Sequence, residues 1–292
     1  MAPALGLDEE TYAWLAAHAS LVVHAAGSVR TTQSYDALFA DNVRSTAALA
    51  ALALHADARV VLASSLAPFV CCEAPPACVE EHDVAPSTRI HGAYAATKLM
   101  AEHALAASGA RACIVRLGLL TPCASTLRAH DACQLSLFLR GMAAIGAAPI
   151  TRGTLACDAT PIDRAAHALA SLALDAHALG TFHVAARAPI TLDALLDALA
   201  AAGAPLPRVP AAAFADAIAR AIAARGDVGT AALGLARRSL GAEGARESDL
   251  FLASATRFDT RRASAFTPPI DPPDAALLAR YARAALEGDS TR

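Results

Sequence analysis

Apolar positions along the chain fall into two kinds of run. Short continuous ones, residues 20–27 (SLVVHAAG), 58–63 (ARVVLA), 111–117 (RACIVRL) and 180–185 (GTFHVA), read as strands buried on both faces. The first ends in small residues, as a strand does where another group must approach its backbone. Longer stretches carry helical spacing. They predict helices over residues 8–18, with Asp8 as N-cap, over 35–56, from Gly92 onward, over 131–142, and from Pro161 to about Leu174. Residues 191–202 form a further helix, with Leu192, Leu195, Leu196 and Leu199 on one stripe and Gly203 ending it. Residues 214–225 and 274–286 complete the helical set. Alternating strands and helices with continuous apolar strands predict an α/β fold with a parallel sheet. Between them lie a Pro-, Cys- and acid-rich loop over 68–89, a Gly/Ala/Arg-rich mobile connector over 226–246, and a stiff turn at Pro268-Pro269 and Pro272-Pro273.

At 292 residues the chain holds one large core, or a main domain with a smaller appendage. About half of its 55% hydrophobic content is alanine, and no uninterrupted apolar run reaches the roughly 18 residues of a membrane span. Without a charged leader before an apolar stretch, the expectation is a cytoplasmic protein that engages no membrane. A net charge of −3 and sparse aromatics give no case for nucleic acid. The seven cysteines include no Cys-x-x-Cys pair, and the ten histidines no His-x-x-x-His. Reduced thiols without a metal are the expectation, the cluster Cys71, Cys72 and Cys78 being the one place where the sequence gathers thiol donors for a metal.

The helix after Gly92 carries the candidate chemistry. It sets Tyr94 and Lys98 one turn apart on one face. An ammonium beside a phenol favours the phenolate and makes Tyr94 a better proton donor to a developing oxyanion. The competing interpretation is an amphipathic helix with an exposed lysine and a half-buried tyrosine. The spacing alone favours that one.

The surroundings change the balance. Leu5-Gly6-Leu7, His24-Ala25-Ala26, Tyr35 with Leu38, Asn42-Val43 with Thr46, Ser64-Ser65, Tyr94-x-x-Thr97-Lys98 with Ala101-Glu102, and Arg116-x-Gly118 occur in this order, followed by Asp131, Pro161-Ile162-Asp163, Phe182-His183 and Phe258-Asp259-Thr260. The ordered set resembles an extended short-chain dehydrogenase/reductase. More closely, it resembles the thioester reductase domains that end nonribosomal peptide synthetases, polyketide synthases and carboxylic acid reductases. The resemblance implies a Rossmann-like NAD(P)-binding core over 1–122 and a smaller, mostly helical substrate-binding part over 123–292, with 154–190 returning to the core. It implies Ser65, Tyr94 and Lys98 as catalytic residues, Ser64 being the neighbour that competes with Ser65. Ala25, Ala26, Asn42, Lys98, Gly118 and Leu119 would line the cofactor site. The competing interpretation of Asn42 is a helix-surface amide. The implied cofactor is NADPH and the implied partner an acyl or peptidyl carrier protein bearing a phosphopantetheine thioester, released as aldehyde or alcohol.

The sequence departs from this pattern at its start. The family opens with a strand, a glycine-rich turn, a helix and two further strands, and nothing of that kind precedes Leu21. Gly27-Ser28 is no substitute. Weak NADPH affinity and an exposed apolar edge on the first strand are therefore expected. That edge would be covered by self-association or by a missing N-terminal segment. Ser45 stands where the family has glycine, and is expected to crowd its helix. Two other interpretations remain: a catalytically impaired fragment or pseudoenzyme that binds a carrier or partner, and a sugar-nucleotide epimerase or dehydratase.

Overall fold

The computed structural model describes residues 3–30, 33–82, 88–224, 250–251 and 255–288. The connector expected over 226–246 lies outside them. In chain order the main elements are α1 (Glu9–His18), β1 (Leu21–His24), α2 (Tyr35–His55), β2 (Arg59–Ser65), α3 (Ala93–Ser108) and β3 (Ala112–Leu117). Then come α4 (Gln134–Ile145), α5 (Ile162–Leu174), β4 (Gly180–Val184), α6 (Leu192–Ala201), α7 (Ala211–Ala223) and α8 (Ala275–Glu287). The chain divides into two compact units. The first is residues 1–118, 166–185 and 256–269; the second is 119–165, 186–255 and 270–292.

The first unit is Rossmann-like. Its four strands form one all-parallel sheet in the order β1-β2-β3-β4. Every residue of β2 is buried, as expected of a central strand covered on both faces. Small residues let the helices close on the sheet. Ala50 and Ala53 of α2 and Ala101 and Leu105 of α3 pack with Val60, Leu62 and Ile114. Burial of the larger side chains there contributes about 1.5–3 kcal/mol each. β1 and β4 are the edge strands; among the described residues β1 pairs with β2 alone, and its Val23 is exposed. Two later segments join this unit through buried side chains. Arg59 donates to the carbonyls of Leu172, Ala173, Asp175 and Ala178 around the end of α5, at 3.4 Å to Leu172 and 3.0 Å to Ala178. Glu81 accepts from the backbone N–H groups of His183, Arg262 and Ala263.

Asp8 caps α1 as expected, accepting from the Thr11 N–H at 2.8 Å. The Pro/Cys loop is not wholly irregular. It holds a helical turn, Ala67–Val70, and Cys78–Val79 pairs with Arg257–Phe258. α2 is the one described helix with the length and apolar composition to cross a membrane, although no uninterrupted apolar run marks it in the sequence. Its Leu38, Val43, Ala50, Leu52 and Ala53 are buried within the fold, the pattern of a core helix.

In the second unit α4, α6 and α8 share a core of Phe138, Leu139, Met142, Leu192, Leu195, Leu199, Leu277, Leu278 and Tyr281. The leucine stripe of α6 is therefore packing. The helix expected over 131–142 begins three residues later, at Gln134, because Leu135, Phe138, Leu139 and Met142 are the side chains that reach this core.

Candidate active site

In an all-parallel sheet the carboxyl ends of the strands share one side, where such folds receive ligands. β1 stops at His24, opposite Leu62 of β2. The next β2 residues, Ala63 to Ser65, have a strand neighbour only in β3. Lys98 uses this gap. Its Nζ donates to the Ala63 carbonyl at 2.9 Å. Tyr94 lies one turn earlier on α3 and is half-buried. Burial of the ammonium end drives the Lys98 pKa down to about 8, against an opposing pull from Glu102.

The two adjacent serines have separate jobs. Ser64 points into the core, where its hydroxyl donates to Glu102. Glu102 is held from the other side by Arg116, whose Nε lies 3.1 Å from both carboxylate oxygens and whose guanidinium reaches Oε2 at 2.7 Å. Ser65, on the opposite face of the strand, accepts from the Ala67 N–H at 3.1 Å. That arrangement leaves its hydroxyl hydrogen to be donated elsewhere.

Asn42 is no surface amide; it is 2% exposed. Inside α2 the backbone widens into a π-helical turn at Ala40–Arg44 that carries Asn42. Its Oδ1 accepts from the Ser28 N–H at 2.8 Å, and its Nδ2 donates to the Ser28 carbonyl and to Thr97 Oγ1, at 3.2 and 3.1 Å. Thr97 in turn donates to the Tyr94 carbonyl at 3.0 Å. One amide thus ties the loop after β1 to the Tyr94 turn. Gly27 sits inside this knot: a Cβ there would lie 3.0 Å from Asn42 Oδ1 and 3.4 Å from Lys98 Nζ. Ala25 and Ala26, just before it, are exposed. The sequence assigns no site role to Gly27, Ser28 or Thr97, although Thr97 lies in the Tyr94-x-x-Thr97-Lys98 motif and Gly27-Ser28 is set aside there as a substitute for the glycine-rich turn.

Ser45 does not crowd its helix. Its hydroxyl donates to the Asp41 carbonyl and meets His24 Nε2 at 3.2 Å. With its one hydrogen spent on Asp41, Ser45 must accept from His24, which fixes the Nε2–H tautomer. His24 Nδ1 is buried with no hydrogen-bond partner among the described residues. Burial, and then the nearby Lys98, drive the His24 pKa down to about 4, so the ring is neutral at pH 7.

Gly118 follows Leu117, the β3 residue paired with Ser65, and donates its N–H to the Val184 carbonyl at 2.9 Å. Leu119 opens the second unit. There the buried Asp158 accepts from the Leu119 N–H at 2.6 Å, the Thr160 hydroxyl at 3.0 Å and the Ala186 N–H at 3.2 Å. These donors favour the charged carboxylate, but burial outweighs them and raises the pKa from 3.8 to about 6. A carboxyl whose folded pKa is raised adds stability that is full below the unfolded pKa and is lost as pH rises through the folded one. Asp158→Asn removes this dependence. Relative to the variant, the wild type should lose roughly 2–3 kcal/mol between pH 4 and pH 7, measured as urea unfolding at both pH values.

The family model described as Male sterility protein, an NAD-binding domain, matches residues 1–169. The chain belongs to this family. No curated protein sequence matches it. Among solved structures, it is similar to the terminal R domain from the myxalamid PKS-NRPS biosynthetic pathway, at 21% identity and a TM-score of 0.77, over 96% of this chain and 71% of that one. A thiolation-reductase di-domain from an archaeal non-ribosomal peptide synthetase shares 16% identity with a TM-score of 0.74, over 96% of this chain and 60% of that one. UDP-glucuronic acid 4-epimerase from Bacillus cereus, solved with NAD, shares 13% identity with a TM-score of 0.64, over 97% and 79%. This Male sterility family member thus has the α/β fold of the extended short-chain dehydrogenase/reductases and of thioester reductase domains.

Proposed function

We propose that this chain is an NADPH-dependent reductase of carrier-bound acyl or peptidyl thioesters. The observation that carries the reading is Lys98. Of the 24 Lys and Arg residues in the chain it is the only lysine, and it follows Tyr94 by one helical turn at the carboxyl end of the sheet. Arginine serves at every other basic position. A compact ammonium whose pKa can be tuned is what arginine cannot replace. The fold's likeness to terminal reductase domains is compatible with thioester chemistry, and the likeness to the epimerase keeps sugar-nucleotide chemistry as the second reading.

The residues suit the nicotinamide-ribose half of a dinucleotide. Lys98 has three N–H donors and spends one on Ala63, so the others are available to ribose hydroxyls. The loop carrying Ala25, Ala26 and Gly27 runs past it without side-chain bulk, and Asn42 holds that loop in place. Gly118, directly after β3, would continue the wall. Bound NADPH supplies the hydride. Ser65 donates a hydrogen bond to the thioester carbonyl and orients it. Tyr94 delivers a proton to that oxygen as negative charge develops there, and Lys98 favours the phenolate left behind. With hydrogen added at carbon and oxygen the product is a thiohemiacetal. Its C–S bond breaks to leave an aldehyde, and the sulfur departs as the pantetheine thiol. The open β1 edge is the surface through which a second copy or another polypeptide segment would complete the sheet.

The test is to incubate the purified chain with NADPH and an acyl-phosphopantetheine thioester, scoring NADPH consumption, free thiol and trapped aldehyde. The expected result is equal release of thiol and aldehyde, with NADPH binding weakened at least tenfold by Lys98→Ala, the loss of one charge-assisted contact. No NADPH binding up to millimolar cofactor would overturn the reading in favour of a non-catalytic module. Turnover of a UDP-sugar instead of the thioester would overturn it in favour of an epimerase.

A further inference from the structure

Glu102 has no part in the reaction just described, yet it is built into the site with unusual care. It is 4% exposed, on the same face of α3 as Lys98 and one turn further on. The two side chains dock on consecutive residues of β2: Lys98 on the Ala63 carbonyl, Glu102 on the Ser64 hydroxyl. Arg116, opposite Ser64 on β3, closes the set with its bidentate contact and lies over the Phe69 ring at 4.6 Å. An ordinary structural ion pair needs one partner. This carboxylate is held in a fixed orientation by Arg116 and Ser64, and it also acts through its charge on Lys98, one helical turn away.

Several groups surround the Lys98 ammonium. From β1 comes His24, held neutral by burial and then by the Lys98 charge itself. From α2 comes the uncharged amide of Asn42, since Asp41 and Arg44 are exposed. From α3 itself come Tyr94 and Glu102, and from β3 comes Arg116, already committed to Glu102. Glu102 is therefore the one group in this set that favours a positive charge on Lys98.

We propose that Glu102, clamped by Arg116 and Ser64, is a positioning residue that keeps Lys98 protonated at neutral pH. Its value to catalysis rests on the reductase reading above, because a neutral Lys98 would neither hold ribose hydroxyls strongly nor favour the Tyr94 phenolate. Its electrostatic effect does not depend on that reading. Arg116 fixes the carboxylate and Ser64 supplies its remaining hydrogen bond, so the charge stays aimed along the helix.

Because Lys98 is the only lysine, feeding ¹³C-lysine labels this one side chain, and its titration is read directly by NMR in the cofactor-free chain. The expected result is that Glu102→Gln lowers the titration midpoint by about 1 pH unit or more. Ser64→Ala, which keeps the charge, should leave it within a few tenths of a unit. If Glu102→Gln strands Arg116 and prevents folding, Glu102→Gln combined with Arg116→Gln removes both charges and should still titrate below the wild type. An unchanged midpoint in a folded variant would overturn the proposal and leave Glu102 a structural partner of Arg116. NADPH binding is measured separately on the same samples. A shifted midpoint without NADPH binding would defeat the reductase reading and leave this inference standing.

Discussion

Tyr94→Phe is expected to lower thioester-dependent NADPH oxidation by roughly 10²–10⁴-fold while leaving NADPH affinity within about threefold of wild type. The substitution removes one oxygen. It keeps the ring, which is half-buried in the first turns of α3, and it touches neither the Lys98–Ala63 bond nor the Asn42–Thr97 bond. The split between the two readouts follows from what each residue holds. Lys98 and the loop fastened by Asn42 bear on the cofactor; the phenol bears on the substrate oxygen as charge develops there. Single-turnover loss of NADPH absorbance, with binding titrated alongside, separates them. Equal loss of binding and turnover would mean that Tyr94 shapes the pocket and is not the proton donor. Turnover close to wild type would move the proton to another group, with Ser65 the next to test.

Much of this arrangement can be read from the residues, and the parts that cannot share a physical cause. Continuous apolar runs mark β1 to β4 because strands of a parallel sheet carry no polar period to disguise them, although only β2 is buried throughout and β1 buries only His24. Tyr94 and Lys98 fall one turn apart on any helix, so their juxtaposition needs no tertiary information. Ser65 against Ser64 is harder. Alternation puts them on opposite faces of β2, but only the partners on α3 and β3 say which face is core. Asn42 stays ambiguous for a stronger reason. The π-helical turn that carries it inward is a change in backbone hydrogen bonding with no residue pattern of its own, and its partners Ser28 and Thr97 lie 14 and 55 residues away. Ser45 misleads. Taken alone it is a glycine replaced by something larger, while in the fold it is the hydroxyl that meets Nε2 of a buried histidine. Asp158 sits among two-residue strand pairings too short to show a period, so its role as the junction of three backbone segments emerges only in three dimensions.

Arg116→Met should be the most damaging substitution for the first unit, costing about 3–5 kcal/mol. Arg116 and Glu102 are 2% and 4% exposed, so neither can recover its hydration when the other is removed. Methionine fills much of the arginine's volume and keeps a contact with Phe69, so the loss is electrostatic rather than a cavity effect. Amide hydrogen exchange of residues 62–65 and 114–117, the paired centre of β2 and β3, reports the stability of this unit without interference from the second. Adding Glu102→Met to Arg116→Met should restore most of the protection, because a buried pair replaced by apolar residues of similar size is often close to neutral. If the single variant is as stable as wild type, the pair is solvated in solution and the burial argument for Glu102 fails with it. If the double variant regains stability but its Lys98 titrates lower than in wild type, the pair's contribution to the fold is replaceable. Its contribution to the charge of Lys98 is not, and that separation is the physical reason for two costly buried charges in a sheet that apolar side chains would hold together equally well.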